Sequence, residues 1–192
     1  GRRTEQLVTA IDRLKLPVKR VVDMGCADDT MLRAICDRFD VHTALGFDRF
    51  DNGTVSTINP IILHRHDLYQ KFPYPCVSGS IDLIVVSAFF KHHPNQWAFL
   101  KECERILDKN GAIIFLEPRY WVVFIGSLFG YFNPRYCPHP WTPKSLATQL
   151  PSTLHIVDVE NYWISPLYSL KWIEKLIPSW LRKWIALHQC VV

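Results

Sequence analysis

The chain has 192 residues, 48% of them hydrophobic and 21% charged, with 22 Lys and Arg against 18 Asp and Glu. That length suits a single domain, 1–192, with a sizeable core, and charge this modest with ordinary apolar content excludes a disordered chain. The net charge of +4 is dispersed among acids, as in Lys101, Glu102, Glu104 and Arg105, which argues against a nucleic-acid surface, and no apolar run is long enough to span a bilayer.

Helical spacing of Leu7, Val8, Ile11 and Leu14 predicts a helix over Thr4 to Leu14, closed by Pro17. Arg20 to Met24 reads as a buried strand stopping at Gly25. Thr30 to Phe39, with Met31, Leu32, Ile35 and Phe39 on one face, reads as a helix, and Thr43 to Asp48 as a second strand ending in an acid. A third strand, Pro60 to His64, leads to Asp67. Ser80 to Ser87 is the clearest strand, followed by an amphipathic helix, Gln96 to Leu107, with Gly111 suited to a left-handed cap. A fifth strand, Ala112 to Pro118, comes next. Further on, a helix over Pro143 to Leu150 and a strand over Leu154 to Val159 are expected. Strands that are apolar throughout and mostly separated by helices predict an α/β fold with a mostly parallel sheet covered on both faces. Ligands in such sheets bind at the carboxyl ends of the strands. Asp23 to Gly25, Asp48, Asp67, Ser87 to His93 and Glu117 therefore share one rim.

The turn Asp23-Met24-Gly25-Cys26-Ala27-Asp28-Asp29 lies between a strand and a helix start, where backbone can approach a ligand closely. Dinucleotide binding would want glycine at three positions that read Gly25, Ala27 and Thr30 here, so a nicotinamide or flavin site is disfavoured. Asp28 and Asp29 would also repel a pyrophosphate, and a cationic, phosphate-free cofactor suits the acidic loop better. Asp48, ending the second strand, is placed to accept both hydroxyls of a ribose.

The runs V-V-D-M-G-C-A-D-D, L-G-F-D, H-D-L, S-I-D-L-I-V-V-S-A-F-F-K-H-H and L-K-E-C-E-R-I-L-D-K-N-G-A-I-I-F-L-E-P, over residues 18–118, resemble a class I S-adenosylmethionine-dependent methyltransferase. The resemblance implies a Rossmann-like, seven-stranded, mostly parallel sheet with helices on both faces and a reversed last strand, 18–118 forming the cofactor half and 119–192 a substrate or lid half. It implies S-adenosylmethionine as cofactor, with Asp23, Gly25, Cys26 and Ala27 lining its methionine moiety and Asp48 on its ribose. By the same resemblance Asp67 and Leu68 meet the adenine, and Ser87 and Ala88 sit beside the methionine and sulfonium. Two departures stand out: Asp29 replaces the last loop glycine, and Asn52 to Asn59 is thin where the family has a full helix.

Transfer of an activated methyl needs mainly alignment and a base. Candidates for the base on this rim are His92, His93, Glu117 and His139, the last in a proline-rich loop suited to a lid. His64, His66, His92 and His93 lack organised ligand spacing, so no metal is expected. The six cysteines form no C-x-x-C pair, and Gly1 to Gln6 is polar with no apolar stretch behind it. Reduced thiols in an intracellular, cytoplasmic setting are expected.

After Pro118 the aromatics crowd together. Tyr120 to Phe132 carries almost no polar atoms. About 163–185, an insertion places Leu167, Leu170, Ile173 and Leu176, then Trp180, Leu181, Trp184 and Ile185, on amphipathic stripes beside Lys and Arg. Such a pattern fits a membrane surface, a protein partner or the core, and Ile185 to Val192 resembles the family's closing strand. The expected function is methyl transfer to a hydrophobic or amphipathic acceptor, a small molecule or lipid presented at a membrane. The alternative is a non-catalytic methyltransferase-like subunit serving as an interaction module in a larger assembly.

Overall fold

Residues 2–49, 57–58, 60–128, 139, 141–162 and 188–192 are described by the structure, a computed structural model. Among them eight strands form one sheet: β1 (Arg20–Met24), β2 (Thr43–Asp48), β3 (Thr57–Ile58), β4 (Ile61–Arg65), β5 (Ile81–Ser87), β6 (Leu107–Pro118), β7 (Val159–Tyr162) and β8 (His188–Val191). Their order is β3-β4-β2-β1-β5-β6-β8-β7. The pairs from β4 through β6 are parallel, while β8 is antiparallel to both β6 and β7. The expected seven strands become eight because Thr57–Ile58, in the thin stretch after β2, pairs antiparallel with β4.

Side chains on a strand alternate between faces, and each face here has its own core. Val21, Leu83, Val85, Ile114 and Leu116 point to one side, covered by Leu7 and Ile11 of α1 (Arg2–Leu14) and by Leu32 and Ile35 of α2 (Thr30–Cys36). Val22, Met24, Ile84, Val86 and Phe115 point to the other, against Phe99, Leu100, Cys103 and Ile106 of α3 (Gln96–Ile106). Trp141 and Leu146, the latter on α5 (Pro143–Ala147), complete that side. Full burial of each such side chain contributes about 1.5–3 kcal/mol, so both helical layers are held by the sheet.

Several expected boundaries shift, and the helix expected over Thr30 to Phe39 ends at Cys36. Gly111 does not cap α3. The helix ends at Ile106 because Leu107 is already extended, and Gly111 lies inside β6, where an added Cβ would meet Asp82 O at 2.9 Å. The strand expected at Leu154 to Val159 begins only at Val159, and the helix expected to Leu150 ends at Ala147. Tyr120–Leu128 forms a helix, α4, that opens the aromatic stretch. The amphipathic insertion about 163–185 lies outside the described residues, as do Cys137, all but residues 57–58 of the Asn52 to Asn59 stretch, and most of the loop around His139.

Strand order reverses between β1 and its two neighbours, β2 and β5, so the crevice opens at their carboxyl ends. β7 and β8 bring the C-terminal third to the same edge. Tyr162 pairs with His188, and His188 with Pro118, so the chain leaves the sheet and re-enters it level with the end of β6. No helix among the described residues is long and apolar enough to cross a membrane.

Candidate functional site

Beyond Met24 the chain turns through two left-handed residues, Gly25 at φ 77° and Ala27 at φ 53°. The N–H groups of Gly25 and Cys26 both donate to the Phe47 carbonyl, at 2.8 and 3.2 Å, which fastens the loop to the end of β2. Ala27 bears the strain that glycine would avoid, about 1–2 kcal/mol. Its N–H donates to Asp48 Oδ2 at 2.8 Å. Asp29, which stands where the family has the last loop glycine, has an ordinary φ of −91°. Its carboxylate accepts from Arg33 Nε at 2.6 Å, so the missing glycine leaves no strain there. Asp28 Oδ1 accepts the Thr30 N–H at 2.9 Å and covers the start of α2.

Beneath this loop lies Asp23, 1% exposed, with no hydrogen-bond partner for either carboxylate oxygen among the described residues. Burial, reinforced by the charges of Asp48 and Asp28, pushes it up to about 8. Buried polar groups are normally satisfied, and an orphaned carboxyl costs several kcal/mol. Such a group is what a cationic ligand would repay, and three acids around one loop repel phosphate. The neighbouring Cys26 thiol is buried and pushed well up by desolvation, so it stays protonated and unreactive.

A cleft of about 220 Å³ opens beside the loop, lined by Gly25, Asp48, Arg49, His66, Leu68, Tyr69, Ala88 and Phe89. Four of these, Gly25, Asp48, Leu68 and Ala88, were expected from sequence. Asp48 Oδ1 also accepts the Arg49 N–H at 2.6 Å, so both oxygens already hold backbone. Asp67 stands behind the lining, its Oδ1 accepting the Tyr69 N–H at 3.0 Å and so shaping the turn that presents Leu68 and Tyr69. Ser87 ends β5, and Ala88 follows at φ 54°, its N–H donating to the Leu116 carbonyl at 3.0 Å.

Arg49, His66, Tyr69 and Phe89 are the lining residues that motif reading misses. Arg49 lies 4.7 Å over the Tyr69 ring, and Tyr69 stacks on Phe89 with centroids 5.4 Å apart and planes 14° apart. One signal was available: Tyr69 and Phe89 each follow a motif residue, Leu68 and Ala88, and so fall at the same strand ends.

The four candidate bases divide into two kinds. Glu117 is fully buried; it accepts the Phe90 N–H at 2.9 Å and the Lys91 ammonium at 2.9 Å. Burial raises its pKa against the opposing pull of Lys91. His93 is also fully buried, Nε2 against the Leu68 carbonyl at 2.9 Å and Nδ1 accepting the Asn95 N–H at 3.1 Å. These two are built into the frame of the rim, with their polar atoms engaged. His92 is half-buried and also engaged, by a hydrogen bond to the Ala88 backbone; desolvation together with the Lys91 charge outweighs that bond and pulls it down to about 4, which keeps it neutral near pH 7. His139 is exposed, its N–H reaching the Lys91 carbonyl at 3.3 Å and its carbonyl accepting from Gln96 Nε2 at 2.9 Å. Backbone contacts thus strap His139 to the turn that carries His92. Among the described residues no cluster of three potential ligands could hold a metal ion.

The profile of the methyltransferase domain family matches residues 1–153. No curated protein sequence matches this one. Among solved structures, a candidate methyltransferase from Haloferax volcanii, in complex with the Trm112 methyltransferase activator, superposes with a TM-score of 0.71 at 16% identity, covering 97% of this chain and 92% of that one. The S-adenosylmethionine-dependent methyltransferase from Mesorhizobium loti gives a TM-score of 0.65 at 16% identity, with 93% of each chain covered. The plantazolicin methyltransferase BpumL, solved with a desmethyl substrate analogue and SAH, gives 0.63 at 16% identity over 98% of this chain and 80% of that one. Likeness at this identity speaks for the fold.

Proposed function

Because the chain belongs to the methyltransferase domain family, we propose that it is an enzyme that uses S-adenosylmethionine to methylate a hydrophobic or amphipathic acceptor. The observation that carries the cofactor assignment is Asp23, a buried carboxylate without a partner at the end of β1, inside a ring of acids that suits a cation and repels phosphate. Asp23, Gly25, Cys26 and Ala27 would hold the amino-acid end of the cofactor, Asp48 its ribose, Leu68 its base, and Ser87 and Ala88 the flank beside its sulfur. Asp67 would act on the base from behind the lining. S-adenosylmethionine supplies a methyl group already activated as a sulfonium, so this chain's residues need only align the acceptor, exclude water and take a proton. His92 and His139 are the rim groups placed for that proton; His93 and Glu117 hold the rim in shape. Burial keeps His92 neutral near pH 7 and also makes it a weaker base than an exposed imidazole, so its part is to accept the proton only as the methyl is transferred.

Calorimetric titration with S-adenosylhomocysteine tests the cofactor reading. The wild-type chain is expected to bind, and Asp48→Ala to bind roughly 10–100-fold more weakly, the loss expected for hydrogen bonds to a charged group. Absence of wild-type binding at millimolar ligand would overturn it.

The acceptor reading draws on the C-terminal third. α4 exposes Tyr120, Phe124 and Leu128 along one stripe, the first two stacked at 6.4 Å. The chain between Tyr162 and His188 is anchored at both ends on the cofactor rim, and its sequence interleaves Trp with Lys and Arg as interfacial segments do. That pattern supports a lipid-like acceptor presented at a membrane surface. Co-sedimentation with anionic vesicles is expected, dropping several-fold in Trp180→Ser/Trp184→Ser. Absent or unchanged sedimentation would overturn the membrane reading and favour a protein partner.

A further inference from the structure

We propose that Phe89 is a displaceable aromatic plug: its ring and the cofactor compete for the same space over Gly25. The proposal rests on the reading of this cleft as the S-adenosylmethionine site. Gly25 leaves room that a Cβ would fill, and the Phe89 side chain takes that room. Its Cδ2, Cγ and Cβ lie 2.4, 2.6 and 2.8 Å from where the Gly25 Cβ would be. The same ring stacks flat on Tyr69, itself under Arg49, so the flat surface the cleft offers to a base is already occupied by a side chain. What remains is about 220 Å³, below the roughly 300 Å³ at which ligand pockets begin.

The backbone on either side of the plug is held. The Ala88 N–H donates to Leu116 O at 3.0 Å, the Ala88 carbonyl accepts from Lys91 Nζ at 2.7 Å, and the Phe90 N–H donates to Glu117 at 2.9 Å. With the turn clamped this way the Phe89 Cβ stays in place, and room is made where Cγ and Cδ2 lie, by rotating the ring about the Cα–Cβ bond rather than by moving the loop. Phe89 is only partly buried, so the rotation has solvent to enter, whereas Phe90 is fully buried and stays in the core. Binding then forfeits the Phe89–Tyr69 stack and the ring's contacts with Phe99 and His93, at 5.8 and 6.0 Å, and the site's affinity is lower than its contacts alone would give.

Titration of wild type, Phe89→Ala and Phe89→Leu with S-adenosylhomocysteine, alongside thermal unfolding of each, tests this. Phe89→Ala is expected to bind at least about twofold more tightly, the gain that even one stacking contact no longer forfeited corresponds to. Phe89→Leu, which keeps an apolar side chain but cannot stack on Tyr69, gains less, and it carries the comparison if the alanine variant does not fold. Equal or weaker binding by the folded variants, with wild type binding, overturns the plug and leaves the cofactor assignment standing. Failure of all three to bind at millimolar ligand overturns both.

Discussion

Asp23→Asn is expected to weaken binding of S-adenosylmethionine and S-adenosylhomocysteine by roughly 10²–10³-fold, the scale set by removing one partner of a buried ion pair. The same residue predicts a proton count. In the structure Asp23 is pushed up to about 8, chiefly by burial, so at pH 7 it carries a proton. A ligand cation draws it back down, and the proton leaves. Titrations at pH 7 in buffers of different ionisation heat are expected to show close to one proton released. Affinity should rise about tenfold per pH unit between pH 6 and 8 and level off above 8, because the carboxylate is then already formed. A flat profile from pH 6 to 9 would show that Asp23 does not meet the cation.

Stability runs the opposite way. The folded-state pKa of Asp23 lies above its ordinary 3.8, so the folded chain binds more protons than the unfolded one between about pH 4 and 8, and stability is lost as pH rises through that window. Without ligand, Asp23→Asn is therefore expected to exceed wild type in stability at pH 9, by several kcal/mol at most, with the gap closing toward pH 5. A gain in stability together with a loss of binding marks a residue kept for a ligand.

Lys91→Met is expected to cost about 3–5 kcal/mol of stability in urea unfolding, since it strands the fully buried Glu117 carboxylate. Lys91 itself is 4% exposed, and its ammonium spans Glu117 and the Ala88 carbonyl. Burial alone raises Glu117; without Lys91 it rises further above the unfolded value, so the deficit grows as pH goes from 5 to 8. Replacing both groups by apolar residues, Lys91→Met/Glu117→Leu, should recover part of the loss, because no charge is then left stranded although the Phe90 N–H and the Ala88 carbonyl lose their side-chain partners. Cofactor affinity reads out the second consequence. The pair holds the left-handed Ala88 turn, so the double variant is expected to be more stable than Lys91→Met yet weaker in binding than wild type. A double variant that remains as unstable as Lys91→Met would refute the pairing argument.

The two halves of the site differ in how far they could be read from the chain. Gly25, Asp48, Leu68 and Ala88 were legible because they sit at the ends of apolar runs, and the α/β alternation sends such ends to one rim. Tyr69 and Phe89 were not, since an aromatic after a strand reads as one more core residue. In S-A-F-F the two phenylalanines look alike. The φ of 54° at Ala88 and the capture of the Phe90 N–H by Glu117 send Phe90 into the core and Phe89 into the cleft. Glu117 and His93 lie on the expected rim, and what a local pattern does not reveal is that their polar atoms meet Lys91, Phe90, Leu68 and Asn95. Asp29 departs from the family's loop glycine, yet its backbone is ordinary and Ala27 bears the left-handed strain.

Sequence alone determined the α/β class, most strands to within a few residues, and the rim on which the site lies. Those features follow from hydrophobic periodicity and turn residues, which act between near neighbours in the chain. The eighth strand, the end of α3 at Ile106, the orphaned state of Asp23 and the stacking of Phe89 on Tyr69 were decided by the tertiary structure. Each depends on which distant segments the sheet brings together, and on which buried polar atoms find partners there. A local pattern carries no record of that competition.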